Sequence, residues 1–270
     1  MKNPWSELPI HPSDDNFVLP HDLDLTLAHN KGIQDKAEEK KREIEAERNT
    51  TRQDKLREQE TSLRLRFVHT NILPNPFIGN LDTARVVLLY LNPGFMDDDP
   101  DQYLGPVEHR IPGYFEENRK SLTFECDPTF PFYYLNPKFC RSNGYRYWHT
   151  HMALSALAES CGGGETGLSR MASRIMCIQF FPYHSKADPG MSRIVQSQFY
   201  SFSLVEQAMA QRKKIILMRS EISWLNHVPD LAFYDRLIRT NRLGQRGRHQ
   251  FTKGNFPEGE WDNLQREIQS

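Results

Sequence analysis

Val86 to Leu91 is a continuous apolar run with β-branched residues at its start. Its length and composition predict a strand buried on both faces, as in the middle of a parallel sheet. Pro93 cannot donate to a ladder and Gly94 permits a turn, so the strand ends at Asn92-Pro93-Gly94. Three shorter apolar runs follow at wide intervals: Ile175 to Ile178, Lys214 to Met218, and Arg236 to Asn241. Helical spacing separates them. Tyr147, Trp148, Met152 and Leu157 mark a helix over 145–157, and Val195, Phe199, Phe202, Val205 and Met209 mark one over 192–211. A short helix and turn are expected over 221–234 and a closing helix over 261–268. Strands alternating with helices predict an α/β fold around a central, mostly parallel, four-stranded sheet.

The connections carry their own signals. Residues 73–80 form a turn-rich lead-in to the first core strand. Residues 96–145 read as one long irregular region, rare unless functional, and rich in aromatic side chains. Phe132 and Tyr133 are the candidates there for stacking on a ligand. Cys161-Gly-Gly-Gly164 predicts a helix stop and a mobile loop.

The N-terminal quarter is different. Residues 1–30 read as an extended arm, packed on the body through Trp5, Leu8, Phe17, Val18 and Leu19. From Asp35 to Glu60 there are 8 Lys/Arg and 9 Asp/Glu with hardly any large apolar residues. No Gly or Pro interrupts that run, so 31–66 is a charged helix or, with Asn49 as a cap, a helical hairpin. It either lies solvated on the domain or projects toward DNA or a partner. The main domain is then 67–270.

Composition narrows the chemistry. The net charge of −1 over 270 residues gives no global pull toward nucleic acid. Cys126, Cys140, Cys161 and Cys177 show no Cys-x-x-Cys pair, so neither a zinc site nor an iron–sulfur cluster is expected. No metal or other cofactor is called for. Isolated thiols, no apolar N-terminal leader and no membrane-length apolar stretch suit a cytoplasmic protein.

Candidate site residues gather where strands end, because ligands of open α/β sheets bind beyond the carboxyl ends of the strands. Asn92 stands at the tip of the first core strand, either as a site residue or as a turn Asn bonded to its own backbone. Gln179 ends the second strand with a primary amide, which offers a donor and an acceptor at once. His184 follows in the loop Phe181-Pro-Tyr-His-Ser185, as a site group or a loop brace. Ser185 and Lys186 are candidate phosphate contacts. After the last strand, Asn241 to Gly254 holds Arg242, Arg246, Arg248, His249 and Lys253 without an acid. A glycine-rich basic loop in that place suits phosphate.

Leu91-Asn92-Pro93-Gly94 resembles the first active-site motif of the uracil-DNA glycosylase superfamily, and is closest to the mismatch-specific branch, whose motif reads Gly-Ile-Asn-Pro-Gly. The resemblance covers residues 73–268. It implies a three-layer sandwich and a monofunctional DNA glycosylase with DNA as its partner. Asn92 would hold the attacking water. Gly94, Phe95, Gln179, His184 and Asn241 would contact the flipped base. The superfamily's second motif begins with His or Asn and carries an apolar wedge. Asn241 and Leu243 take those places, although its Pro-Ser is missing here. Uracil-specific relatives carry a tyrosine at the position of Gly94, so glycine implies room for a pyrimidine bulky at C5: thymine, a hydroxymethyl base, or a sugar-decorated cytosine of some phage genomes. The last would give an anti-phage role. The competing expectation is a catalytically inactive module of the same fold that binds nucleic acid.

Overall fold

The computed structural model describes residues 1–9, 16–95, 111–240 and 250–269. The described elements are, in order, α1 (Pro20–Ala46), α2 (Thr50–Arg64), β1 (Phe77–Ile78), β2 (Val86–Tyr90), α3 (Tyr114–Ser121), α4 (Asn143–Tyr145), α5 (Leu154–Glu159), α6 (Gly164–Arg174), β3 (Ile175–Gln179), α7 (Gln198–Ala210), β4 (Lys214–Leu217), α8 (Glu221–His227), β5 (Leu237–Arg239) and α9 (Glu260–Gln269). The fold is α/β with a five-stranded mixed sheet in the order β1-β3-β2-β4-β5. The four strands expected from the sequence are all parallel, and β2 is central. The fifth, β1, pairs antiparallel with β3 through two residues of the turn-rich lead-in, too few for periodicity to register.

Successive strand residues point to opposite faces, so β2 feeds two cores. Val86, Leu88 and Tyr90 pack with Trp148, Leu154, Leu168, Met171 and Leu264. Val87 and Leu89 pack with Phe17, Leu19, Phe202, Val205 and Trp224. The expected anchors Trp5, Leu8, Phe17, Val18 and Leu19 are all buried in the second core.

Several expected boundaries move. The helix foreseen over 145–157 is broken: α4 continues as a π-helical stretch, Arg146–His151, and Ala153 takes a φ of 60° before α5 starts. The triple glycine does not leave a loop. Gly162 and Gly163 turn the chain with φ of 117° and 67°, and α6 starts at once. A Cβ at Gly167 would lie 2.3 Å from the Ala158 carbonyl oxygen, so α5 and α6 meet at a contact only glycine permits. The helix expected from 192 starts at Gln198. Within 96–145, α3 and two short 3-10 turns give order where an irregular region was expected.

The N-terminal arm is also shorter than expected, because α1 begins at Pro20. Proline suits the first helical turn, where its missing N–H is no loss. Residues 31–66 form a hairpin, with the Asn49 side chain accepting from the Arg52 N–H at 3.0 Å to cap α2. The buried positions of α1 are Asp22, Thr26, Asn30, Ile33 and Ala37, and α2 buries none. The hairpin beyond Ala37 is therefore solvated. None of the described helices is long and apolar enough to cross a membrane.

Two polar clamps hold the foot of α1. The Asn30 amide donates to Val68 O at 2.8 Å and accepts from Val68 N at 2.9 Å. Asp22 is fully buried and accepts from the Tyr183 hydroxyl at 2.7 Å, the Ser197 N–H at 3.1 Å and the Ser197 hydroxyl. Tyr183 belongs to the loop after β3, so this carboxylate fastens the N-terminal segment to the site loop. Asp22→Ala strands three buried donors, each costing about 1–3 kcal/mol when unpaired. Urea denaturation should show a loss of several kcal/mol; a loss below about 1 kcal/mol would contradict the clamp.

Candidate functional site

The chain leaves β2 toward β3 and leaves β4 toward β5, so its direction across the sheet reverses between β2 and β4. A crevice at the carboxyl ends of such strands is the expected ligand site. A cavity of about 540 Å³ opens there. It is lined by Asn92, Gly94 and Phe95 after β2, by Gln179 at the end of β3, by His184, Ser185 and Lys186 in the next loop, and by Arg219 after β4. The strand ends coincide because Tyr90 pairs with Gln179. Ladder-like bonds then continue past the strands. Phe181 N–H donates to Leu91 O at 2.7 Å and Ser185 N–H to Pro93 O at 3.3 Å. The Asn92 turn and the post-β3 loop thus run side by side.

Asn92 is held by its nitrogen. Nδ2 donates to Ser185 O at 3.0 Å, to Ser185 Oγ at 2.9 Å and to Pro93 O at 3.1 Å. Two of these partners are carbonyls, which only accept, so the orientation of the amide is determined. Its oxygen makes no hydrogen bond among the described residues and is left to hold a water or a ligand donor. Of the two sequence readings of Asn92, the turn residue bonded to its own backbone is met only by the local bond from Nδ2 to Pro93 O.

Ser185 is fully buried and donates to Ala187 O at 2.6 Å while accepting from Asn92. The hydroxyl expected as a phosphate contact is thus enclosed between the Asn92 amide and the Ala187 carbonyl. His184 sits with Nδ1 2.8 Å from Gly94 O and Nε2 3.1 Å from Leu73 O. Both nitrogens lie on backbone carbonyls, so the ring braces the turn after β2 against the lead-in to β1. Phe95 lies against His69 with ring centroids 3.7 Å apart and planes tilted by 33°, and the exposed Lys186 lies 5.7 Å from the Phe95 ring centre.

Gly94 is exposed, takes no left-handed φ, and among the described residues has nothing within 4 Å of an added Cβ. The backbone there does not demand glycine. What glycine contributes is the missing side chain at the cavity mouth.

Gln179 is 4% exposed, and its Oε1 is buried without a hydrogen-bond partner. Two residues that sequence reasoning missed share this state. Asn75 Oδ1 and Asn118 Oδ1 are buried, lack a partner, and line the same cavity. Tyr134 and Trp148 supply its aromatic wall, while Phe132 and Tyr133 are fully buried and absent from the lining. Burial pushes the lining phenols of Tyr90 and Tyr147 above their usual range, so both stay neutral. Arg146 and Arg219 also line the cavity, are exposed, and pair with no carboxylate among the described residues. Nothing in the local sequence marks these positions. Asn118 sits within the ordinary charged helix Tyr-Phe-Glu-Glu-Asn-Arg-Lys-Ser, and only its packing sets it apart.

Lys253 lies outside the lining, with Nζ 3.7 Å from Asp262 on α9. Asn241, Arg242, Leu243, Arg246, Arg248 and His249 lie outside the described residues. Among the described residues no cluster of three or more His, Cys, Asp or Glu could hold a metal ion. Cys126, Cys140, Cys161 and Cys177 are free thiols, and burial raises Cys126 to about 12. Comparison of the chain with protein-family models, with curated proteins and with solved structures gives no match.

Two glycines of the lining make opposite forecasts. Gly94→Tyr meets open space among the described residues, so its melting temperature should stay within about 2 °C of the parent, as for a surface change away from packed features. A Cβ on Gly144 would fall 2.1 Å from the Tyr134 ring. Gly144→Ala should therefore lose about 1–3 kcal/mol as the ring is displaced. Thermal melts of the two variants check both; equal behaviour would refute the wall geometry.

Proposed function

We propose that this chain is a monofunctional DNA glycosylase that removes a flipped, C5-substituted pyrimidine and leaves an abasic site. The arrangement of Asn92 and Gln179 carries the reading. Two amides at the ends of adjacent parallel strands open into one cavity, one oriented to offer its oxygen, the other buried and unpartnered. Helices over both faces of the sheet suit the three-layer sandwich of the uracil-DNA glycosylase superfamily. The base would leave the DNA stack and enter the cavity, as enzymes acting on a base within a duplex require.

The residues present suggest the division of labour. The Asn92 oxygen accepts a hydrogen bond from a water and holds it against C1′ of the sugar. The water oxygen bonds to C1′, the glycosidic electron pair leaves with the base, and the water's proton passes to solvent or to that base. Asn92 is a poor proton acceptor, so rate comes from positioning and from electrostatic stabilisation of the oxocarbenium-like sugar and the departing base. Gln179 supplies donor and acceptor to the base edge. Ser185 and His184 act through Asn92 and its turn. No cofactor is needed for this chemistry. Gly94 leaves space beside the pyrimidine C5, consistent with a bulky substituent, and removal of modified bases from phage DNA is the biological role that reading favours.

Arg146 and Arg219 are placed to meet phosphates flanking the flipped nucleotide, alongside Lys186. Each Arg→Ala change should lower the slope of log affinity against log salt by about 0.7–0.9. Fluorescence anisotropy across a salt series reads this directly, and an unchanged slope in both variants would remove them from the DNA interface.

The decisive test is alkaline strand cleavage of oligonucleotides carrying uracil, a G·T mismatch, cytosine, 5-hydroxymethylcytosine or its glucosylated form. One substrate should yield abasic sites. Asn92→Ala should reduce that yield about 10²–10³-fold, as loss of a positioned transition-state group does, and Gly94→Tyr should abolish it on bulky bases. Binding without cleavage on every substrate would move the chain to an inactive nucleic-acid-binding module.

A further inference from the structure

The cavity holds more hydrogen-bonding capacity than a base edge can use. One amide pairs with the edge of a pyrimidine, since it presents a donor and an acceptor together. Gln179, at the end of β3, can serve that edge. Asn75 and Asn118 remain. Asn75 is 1% exposed, and its Nδ2 is already committed to the Tyr134 hydroxyl at 2.6 Å and the Tyr133 hydroxyl at 3.2 Å. Its Oδ1 has no partner. Asn118 is 7% exposed, with its Oδ1 likewise unpartnered and no side-chain hydrogen bond among the described residues. Both line the cavity that Gln179 lines. Buried amide atoms are rarely left without partners, and each exception calls for a reason.

We infer that Asn75 and Asn118 form a second subsite, which reads hydroxyl groups on the C5 substituent of the base. This rests on the glycosylase reading above. A methyl substituent has no donors and would dehydrate both amides without repaying them. A substituent bearing several hydroxyls donates to both oxygens and can accept from the Asn118 nitrogen. The volume of about 540 Å³ lies in the range of sites for drug-sized ligands, roughly 300–1,000 Å³. Tyr134 ties the subsite to the wall, because the same hydroxyl that holds Asn75 belongs to the ring packed on Gly144. Two neutral amide acceptors suit the hydroxyls of a sugar-like group rather than an anion.

The test compares 5-methylcytosine, 5-hydroxymethylcytosine and glucosylated 5-hydroxymethylcytosine in the same oligonucleotide, with the parent protein and Asn118→Leu. Leucine matches asparagine in shape and removes an unpaired buried amide, so the variant should melt at or above the parent temperature. The parent should favour the hydroxylated substituents, and the variant should lose about ten- to a hundredfold of kcat/KM on them with little change on the methyl base. A group with a purely structural role would lower all substrates together. An unchanged substrate ratio in Asn118→Leu would overturn the subsite. If Asn118→Leu does not fold, Asn118→Ala is read by the same ratio. If no substrate is cleaved by the parent, the glycosylase reading fails by itself. The subsite is then judged by anisotropy on the same oligonucleotides: a parent preference for hydroxylated substituents that the variant loses supports it, and equal binding overturns it.

Discussion

The candidate site depends on the parallel pairing of β2 with β3 in the register that sets Tyr90 beside Gln179. That register ends both strands at the same level, and the chain exits them in parallel for several more residues. Leu91 and Pro93 carbonyls accept from Phe181 and Ser185 N–H groups, which brings the Ser185 carbonyl and hydroxyl within reach of the Asn92 amide. A slip of one residue would send Gln179 to the opposite face of the sheet. The burial of β3 on both faces opposes that slip, since every one of its side chains would leave the core it fills.

A second feature is the uneven satisfaction of polar groups. Asp22, Asn30 and Ser185 are buried and fully engaged, and each fastens one segment to another. Gln179, Asn75 and Asn118 are as deeply buried, yet each keeps an oxygen without a partner, and all three face one cavity. Unpaired buried amides lower stability, and three of the four such amide oxygens among the described residues line this cavity, Asn16 being the exception, which is the pattern expected where stability is given up for binding. The lining phenols of Tyr90 and Tyr147 remain neutral through burial, although Arg219 acts on both, and the guanidinium groups of Arg146 and Arg219 stand at exposed positions.

The N-terminal segment takes part in this architecture. Its first residues fill the second core, and Asp22 holds the loop that carries His184 and Ser185. Farther out, the charged hairpin leaves the body, and its apolar content is too low to bury more than the narrow stripe ending at Ala37.

The sequence by itself determined the parallel strands, their order along the chain, the charged helical segment with Asn49 as a candidate cap, and Asn92 and Gln179 as strand-end amides. These are local matters: runs of apolar residues, a proline that ends a ladder, an asparagine that caps a helix. Tertiary structure alone decided the rest. Ser185 came against the Asn92 amide, and His184 against the Gly94 and Leu73 carbonyls, because the loop after β3 folds against the turn after β2. Tyr134, and not Phe132 or Tyr133, came to the wall because of how the ring packs on Gly144. Asn75, Asn118, Arg146 and Arg219 joined the cavity from segments far apart in the chain, where nothing in their neighbours' spacing sets them apart. Whether a buried amide is paired depends on atoms brought together by the fold, and a pattern along the chain holds no record of those distances.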